Sequence, residues 1–257
     1  MAERDTGPVV VENADGGGAF VVLCDHASNT VPRDYGSLGL PPDALETHIA
    51  WDPGALGVAR RMSADLDAPL IWPKVSRLVV DCNRDPSAPD LIVQEGDGRP
   101  VPGNLNLTEA GRARRIQTVH APYHAAIEAV IDRRLAAGTA TALIAIHSFT
   151  PIFYGEQRPW QIGVVFDEDL RLSSPLIGRL TADAALTVGI NKPYSPADRV
   201  YYTMERHSGG GRLPAVMIEI RNDEVATPAA QRGWGDRLSK IFEAIAPEVR
   251  ESGNAAA

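Results

Sequence analysis

Cysteine is scarce in this sequence. Of 257 residues only Cys24 and Cys82 are cysteines, and neither has a CxxC neighbour. Both lie in or next to apolar stretches, which reads as buried, reduced thiols in a cytosolic protein. Long apolar runs are missing too. None approaches the ~18–20 residues that cross a bilayer. Met1-Ala-Glu-Arg-Asp-Thr-Gly7 lacks the apolar centre of an export signal. The expected location is the cytoplasm, with no membrane partner. Positive charge is in deficit: 25 Lys and Arg face 33 Asp and Glu, a net charge of −8. That argues against general affinity for nucleic acid or an anionic surface. No GxGxxG or Walker-type loop follows the first apolar run, so nucleotide binding has no motif behind it. HExxH, internal repeats and low-complexity blocks are absent as well.

What is present is an alternation of strand-like and helix-like segments. Hydrophobic residues make up 44% and charged residues 23% of a length that suits one large domain. Residues 1–18 are polar, end in Gly16-Gly17-Gly18 and read as a flexible lead-in. A single domain is expected over 19–250, followed by a disordered tail over 251–257. Apolar runs predict strands near 19–24, 70–72, 77–82, 141–146, 161–166 and 214–220, with an edge strand at 198–203. Helices are expected at 42–49, 52–66, 108–137, 174–188 and 227–249. Asp52 suits the N-cap of the second of these, and Pro53 its first position. Pro122 is placed to kink or divide the third. The Pro/Asp/Gly-rich segment 83–107 exceeds a usual connection, and such loops often cover a site. This alternation gives an α/β class: a three-layer α/β/α sandwich with a mixed, mostly parallel central sheet.

Chemistry concentrates at the carboxyl ends of the strands, where open α/β sheets place their ligands. Ala142-Leu-Ile-Ala-Ile-His147 is an apolar run stopping on a histidine, and Phe20-Val-Val-Leu-Cys-Asp-His26 has the same form. A lone histidine is more often a structural hydrogen-bonding group. Two that end strands of one sheet are a candidate zinc pair, since neutral imidazoles with a third ligand leave a position for water. Glu219 interrupts the apolar run Ala215-Val-Met-Ile-Glu-Ile220. A carboxylate there needs a partner, either Arg221 or a water held for catalysis. Asn83-Arg84 closes another strand-like run and suits a substrate carboxylate. Arg77 and Arg221 are further candidates for a carboxylate or an oxyanion. His120 and His124 share a helix face without HExxH. His207 beside Gly209-Gly-Gly211 could touch substrate, and His48 lies near Asp52.

Five ordered motifs together resemble the N-formylglutamate amidohydrolase family. They are Asp25-His-Ala-Ser-Asn29, His48-Ile-Ala-Trp-Asp-Pro-Gly-Ala55, Ser76-Arg-Leu-Val-Val-Asp-Cys-Asn-Arg84, His147-Ser-Phe-Thr-Pro151 and Met217-Ile-Glu-Ile-Arg-Asn-Asp223. The resemblance implies a phosphorylase/hydrolase-like fold related to the zinc carboxypeptidases, and a Zn2+ cofactor. It makes His26 and His147 zinc ligands, Glu219 the general base, and Asn83 and Arg84 the holders of a substrate carboxylate. Beside these, Arg77 is a candidate catalytic residue, and Arg221, His207 and Ser148 are candidate substrate contacts, from their own positions in the sequence. Carboxypeptidases take the first two ligands from HxxE, but the third position after His26 is Asn29. The remaining ligand is therefore Asp52 or a second water. The implied reaction converts N-formyl-L-glutamate to formate and L-glutamate, a step of histidine degradation. The rivals are a related zinc deacylase or carboxypeptidase-like enzyme on another N-acyl acid, a metal-free binder of acidic small molecules, and a scaffold protein.

Overall fold

The structure, a computed structural model, describes residues 4, 5 and 7–254. An eight-stranded mixed sheet forms its centre. The strands are β1 (Arg4–Asp5), β2 (Val9–Glu12), β3 (Phe20–Leu23), β4 (Leu70–Pro73), β7 (Ala142–Phe149), β10 (Ile162–Val165), β11 (Val188–Ile190) and β12 (Ala215–Arg221). Two hairpins lie outside the sheet: β5 (Glu95–Gly96) with β6 (Arg99–Pro100), and β8 (Ile152–Phe153) with β9 (Glu156–Gln157). The order across the sheet is β1-β2-β4-β3-β7-β12-β10-β11. The middle four strands, β4, β3, β7 and β12, run parallel, while β2 and β10 flank them antiparallel. Strands buried on both faces are expected to be continuously apolar rather than alternating, and all eight residues of β7 are buried.

Helices cover both faces. On one face α2 (Ala55–Asp65), α5 (Ser173–Thr181) and α7 (Pro228–Asn254) pack with Val22, Ile144, Ile146 and Ile218. On the other, α4 (Ala121–Ala136) contributes Tyr123, Ile127 and Ile131, and α6 (Tyr202–Ser208) contributes Met204, against Leu23, Ala145 and Met217. The short α1 (Pro42–Leu45) and the long loops complete this second layer. The expected three-layer α/β/α sandwich is therefore present. Among the described residues no helix is long and apolar enough to cross a membrane.

Several expected elements differ. The lead-in is not featureless: the buried, β-branched Val9-Val10-Val11 makes β2, paired with β4. Residues 77–82 are not a strand. Ser76 nucleates a turn there, its carbonyl accepting from Val79 N at 2.9 Å and its hydroxyl from Leu78 N at 3.2 Å. Leu78, Val79 and Val80 are apolar because they plug the core, not because they pair. Residues 198–203 form no edge strand either: a 3₁₀ turn at Pro196–Asp198 leads into α6. The helix at 174–188 stops at Thr181, leaving room for β11. The long helix divides into α3 (Glu109–Arg115), a π turn at Ile116–His120 and α4, with Pro122 in the first turn of α4. Pro lacks the N–H that an uninterrupted helix would need. The C-terminal helix continues to Asn254, so the part of the expected tail that is described is helical. Residues 255–257 lie outside the described residues.

Candidate functional site

Three neighbouring parallel strands deliver the key side chains to one edge of the sheet. His26 follows β3 and His147 sits near the end of β7. Glu219, in β12, is the ladder partner of His147. Paired residues point to the same face, so Glu219 and His147 share it. Asp52 arrives from the turn before α2, where Asp52 N donates to His26 O at 2.9 Å. Here the expectation that Asp52 caps α2 fails: Gly54 is the cap residue, at φ 83°, and no side chain caps the helix. The Asp52 carboxylate is drawn into the site instead. Gly is required at 54 because a Cβ there would meet Val225 O at 2.5 Å.

Oδ2 of Asp52 is the meeting point. It lies 3.3 Å from His26 Nδ1 and 2.9 Å from His147 Nδ1, and it accepts from Ser148 N at 3.3 Å. The far nitrogen of each ring is held by its own acid. His26 Nε2 lies 2.7 Å from Asp81 Oδ1, and His147 Nε2 lies 2.8 Å from Asp25 Oδ2. These acids are anchored in turn. Asp25 Oδ1 accepts from Thr203 Oγ1 at 2.6 Å and from Tyr123 Oη at 3.0 Å, and Asp81 Oδ1 accepts from Asn83 N at 2.8 Å. Arg77 bridges the acids, with Nη1 3.3 Å from Asp52 Oδ1 and Nη2 3.5 Å from Asp81 Oδ2. His48 Nδ1 comes within 3.4 Å of Asp52 Oδ1 without hydrogen-bond geometry.

The donor set suits a divalent cation. One ligand atom from each of His26, Asp52 and His147 lies within 4.8 Å of the others, and all three residues are buried. Carboxylates behind metal-facing imidazoles fix ring orientation and raise ligand basicity. The charge balance agrees. Burial opposes protonation of both rings, but the surrounding carboxylates prevail and raise His26, and raise His147 strongly. Asp52 and Asp81 are buried, a cost that the neighbouring imidazoles overcome, holding both carboxyls well below the usual range. Three acids thus face Arg77 and two imidazoles whose affinity for positive charge they raise. A divalent cation on the ring nitrogens would supply positive charge in place of protons. Glu219 differs: burial pushes it up to about 7, against the pull of His147, and its Oε2 has no hydrogen-bond partner.

A cavity of about 240 Å³ opens over this cluster. His26, Asp52, Arg77, Asn83, Arg84, His147, Ser148 and Glu219 line it, together with His48 and Tyr194. Not every candidate is free to act. The Asn83 amide is taken by the backbone: Nδ2 donates to Val200 O, and Oδ1 accepts from Thr203 N at 3.0 Å. Ser148 Oγ donates to Pro53 O at 2.9 Å, which leaves it a positioning role. Arg84 donates from Nη1 to Arg199 O at 2.8 Å and lies 3.3 Å from Asp90 through Nε. Two expected substrate contacts fall outside the lining. Arg221 pairs with Asp223 at 2.7 Å and Glu224 at 3.2 Å. His207 Nε2 lies 2.8 Å from His124 Nδ1, behind α4. Adjacent acids claim the first, and a neighbouring imidazole claims the second. The orienting acids Asp25 and Asp81 escaped sequence reasoning, although each stands at the end of a buried apolar run beside a motif residue. Tyr123 and Thr203, which hold Asp25, carry no local signal.

Two solved structures resemble this chain. The chain is similar over 95% of its length, at 39% identity and a TM-score of 0.92, to a crystal structure of a gene product from Agrobacterium tumefaciens, of which it covers 97%. It shares the fold of an N-formylglutamate amidohydrolase from Ralstonia eutropha JMP134. That likeness has a TM-score of 0.69 and 21% identity, over 95% of this chain and 99% of the other. No curated protein matches the sequence. Residues 18–226 match the family model for N-formylglutamate amidohydrolase, a span that takes in every site residue described above. The chain belongs to the N-formylglutamate amidohydrolase family.

Proposed function

We propose that this protein is a zinc-dependent amidohydrolase that cleaves the N-acyl amide of a small acidic amino acid, with N-formyl-L-glutamate yielding formate and L-glutamate. One observation carries the reading: two imidazole Nδ1 atoms and a carboxylate oxygen converge in the same cavity as a buried Glu219 whose Oε2 is unpaired. His26, His147 and Asp52 would hold the metal. Zinc, when bound, supplies Lewis-acid polarisation of the amide carbonyl and makes water more acidic. Glu219, with a proton affinity near neutrality, takes a proton from the attacking water as oxygen bonds to the acyl carbon. It returns that proton to the departing nitrogen as the C–N bond breaks, releasing the amine and the acid. Arg77, fixed by Asp52 and Asp81, presents positive charge towards the oxygen that becomes anionic. Arg84 faces the cavity and suits the substrate α-carboxylate.

The cellular reading follows the chemistry: a cytoplasmic enzyme acting where histidine is degraded. Cys24 and Cys82 are free and buried, and burial raises both thiols well above their ordinary range, which suits structural, reduced residues. The test is release of the free amino group from N-formyl-L-glutamate, N-formyl-L-aspartate, N-acetyl-L-glutamate and small peptides, run beside metal analysis of protein purified without chelator. Zinc-dependent release, fastest from N-formyl-L-glutamate, is expected. Faster turnover of another N-acyl acid would reassign the substrate. A protein holding no metal and hydrolysing none of these would be a binder.

A further inference from the structure

Arg158 is a buried guanidinium with no acid beside it. It is 8% exposed, and among the described residues no carboxylate pairs with it. Its Nη1 donates to Tyr194 Oη at 3.2 Å and to Thr150 Oγ1 at 3.5 Å. The rest of its surroundings are ring faces: Phe153 at 4.3 Å, Tyr194 at 4.9 Å and Phe149 at 5.7 Å. Ring quadrupoles offset only part of the cost of burying a charge. Arg158 does not line the cavity, but Tyr194 and Phe153, which enclose it, do.

Tyr194 follows a close backbone contact at this wall. Lys192 O lies so close to β10 and β11 that a Cβ on Gly163 would come within 2.0 Å of it, and one on Gly189 within 2.5 Å. Gly163 is also the ladder partner of Glu219. The chain is therefore pinned two residues before Tyr194, beside the strand that carries Glu219. Burial and the nearby Glu219 both push the Tyr194 phenol up, so it stays an O–H donor. Because its oxygen already accepts from a guanidinium, its own proton becomes a stronger donor.

A substrate with two carboxylates needs two anchors, and Arg84, which lines the cavity although Arg199 O and Asp90 share its guanidinium, is one. Arg77 is engaged by Asp52 and Asp81, and Arg221 by Asp223 and Glu224. We infer that the Tyr194 hydroxyl, polarised by Arg158, receives the side-chain carboxylate of a dicarboxylic N-acyl amino acid. This rests on the proposed hydrolase reading and adds the selection of an acidic over a neutral side chain. Tyr194 is the specificity residue, and Arg158 positions and polarises it from behind.

The experiment compares zinc-loaded wild type with Tyr194→Phe, Arg158→Met and Arg158→Lys, on N-formyl-L-glutamate and its neutral isostere N-formyl-L-glutamine. Losing a hydrogen bond to a charged group predicts a fall of roughly 10- to 100-fold in the glutamate-over-glutamine ratio of kcat/KM, carried by KM. Arg158→Lys, which keeps the charge, should recover part of the ratio that Arg158→Met loses. Should Arg158→Met fail to fold, Tyr194→Phe decides, since it removes one oxygen and keeps the packing. An unchanged ratio in Tyr194→Phe overturns the assignment. Calorimetry with glutarate and butyrate gives a readout that needs no turnover. Preference for glutarate that disappears in Tyr194→Phe supports the anchor even if no N-formyl acid is hydrolysed, an outcome that would overturn the hydrolase reading alone. Hydrolysis with no glutarate preference overturns the anchor alone.

Discussion

Glu219 stands directly beside His147 in the parallel pairing of β12 with β7, on the same face of the sheet. That register places a carboxylate next to a candidate metal ligand while withholding any donor from one of its oxygens. Replacing it with glutamine should leave zinc content unchanged and lower kcat by roughly 10²–10⁴. Retention of more than a tenth of wild-type kcat would remove Glu219 from the proton path. The same substitution has a stability signature in metal-stripped protein. Burial lifts the folded pKa to about 7, above the ordinary carboxyl value of 4.5, so the native state binds more protons than the unfolded one. Stability contributed by this site must then fall as pH rises from about 4.5 to 7. The melting temperature of Glu219→Gln should gain on that of wild type across this window and hold a constant lead above it.

Behind the imidazoles, Asp81 and Asp25 are expected to act through ring orientation and basicity. Asp81→Asn and Asp25→Asn should each weaken zinc affinity by about 10- to 100-fold, as competition with a fluorescent chelator would show. Acid should weaken it as well. His26 and His147 are raised by their carboxylate neighbours, so protons compete with the metal for the same nitrogens well into the neutral range. Chelation should abolish activity and added zinc should restore it, with the zinc requirement shifting to higher concentration as pH drops. Zinc affinity equal to wild type in both variants would leave these acids a purely structural role.

How far this site could be read without coordinates depended on where each signal was stored. His26, His147 and Glu219 end or interrupt apolar runs, and a polar group in such a run needs a reason that packing does not supply. The three central strands were legible for the same reason: their runs are long, β-branched and bounded by turns. Arg77–Cys82 shows the limit. Its alternation fits a strand, but Ser76 ties the backbone into a turn and the apolar side chains plug the core from a loop. Asp52 is ambiguous in another way, since Asp-Pro-Gly is a good helix start, and only the approach of His26 and His147 decides where the carboxylate goes. Arg158 and Tyr194 are ordinary loop residues in sequence, 36 positions apart, and become a pair only when β8, β9 and the segment after β11 meet.

The hairpin of β5 and β6 brings acid to the mouth of the cavity. Its turn residues Asp97 and Gly98 both have positive φ, 49° and 72°, a tight two-residue connection. Glu95 and Asp97 are exposed and line the opening. Exposed carboxylates there repel an anionic substrate on approach, and salt screens them over a Debye length of about 10 Å at 0.1 M. The double variant Glu95→Gln, Asp97→Asn should raise kcat/KM for N-formyl-L-glutamate by about 2- to 5-fold at low ionic strength. The gain should vanish at roughly 0.5 M salt. A gain that survives high salt would point to altered hairpin packing instead.

Gly163 and Gly178 make a matched pair for separating strain from chain entropy. Neither has a positive φ. A Cβ on Gly178, inside α5, would meet nothing within 4 Å. Gly178→Ala should therefore stabilise the fold by up to about 1 kcal/mol, as removal of a helical glycine does. A Cβ on Gly163 would come within 2.0 Å of Lys192 O, a backbone atom that a rotamer change cannot relieve. Gly163→Ala should cost about 1–3 kcal/mol in denaturant unfolding as β10 and the Lys192 segment part. That displacement carries Tyr194 with it, so KM should rise in Gly163→Ala and stay at the wild-type value in Gly178→Ala. A destabilised Gly163→Ala enzyme with wild-type KM would show that the segment yields without moving Tyr194.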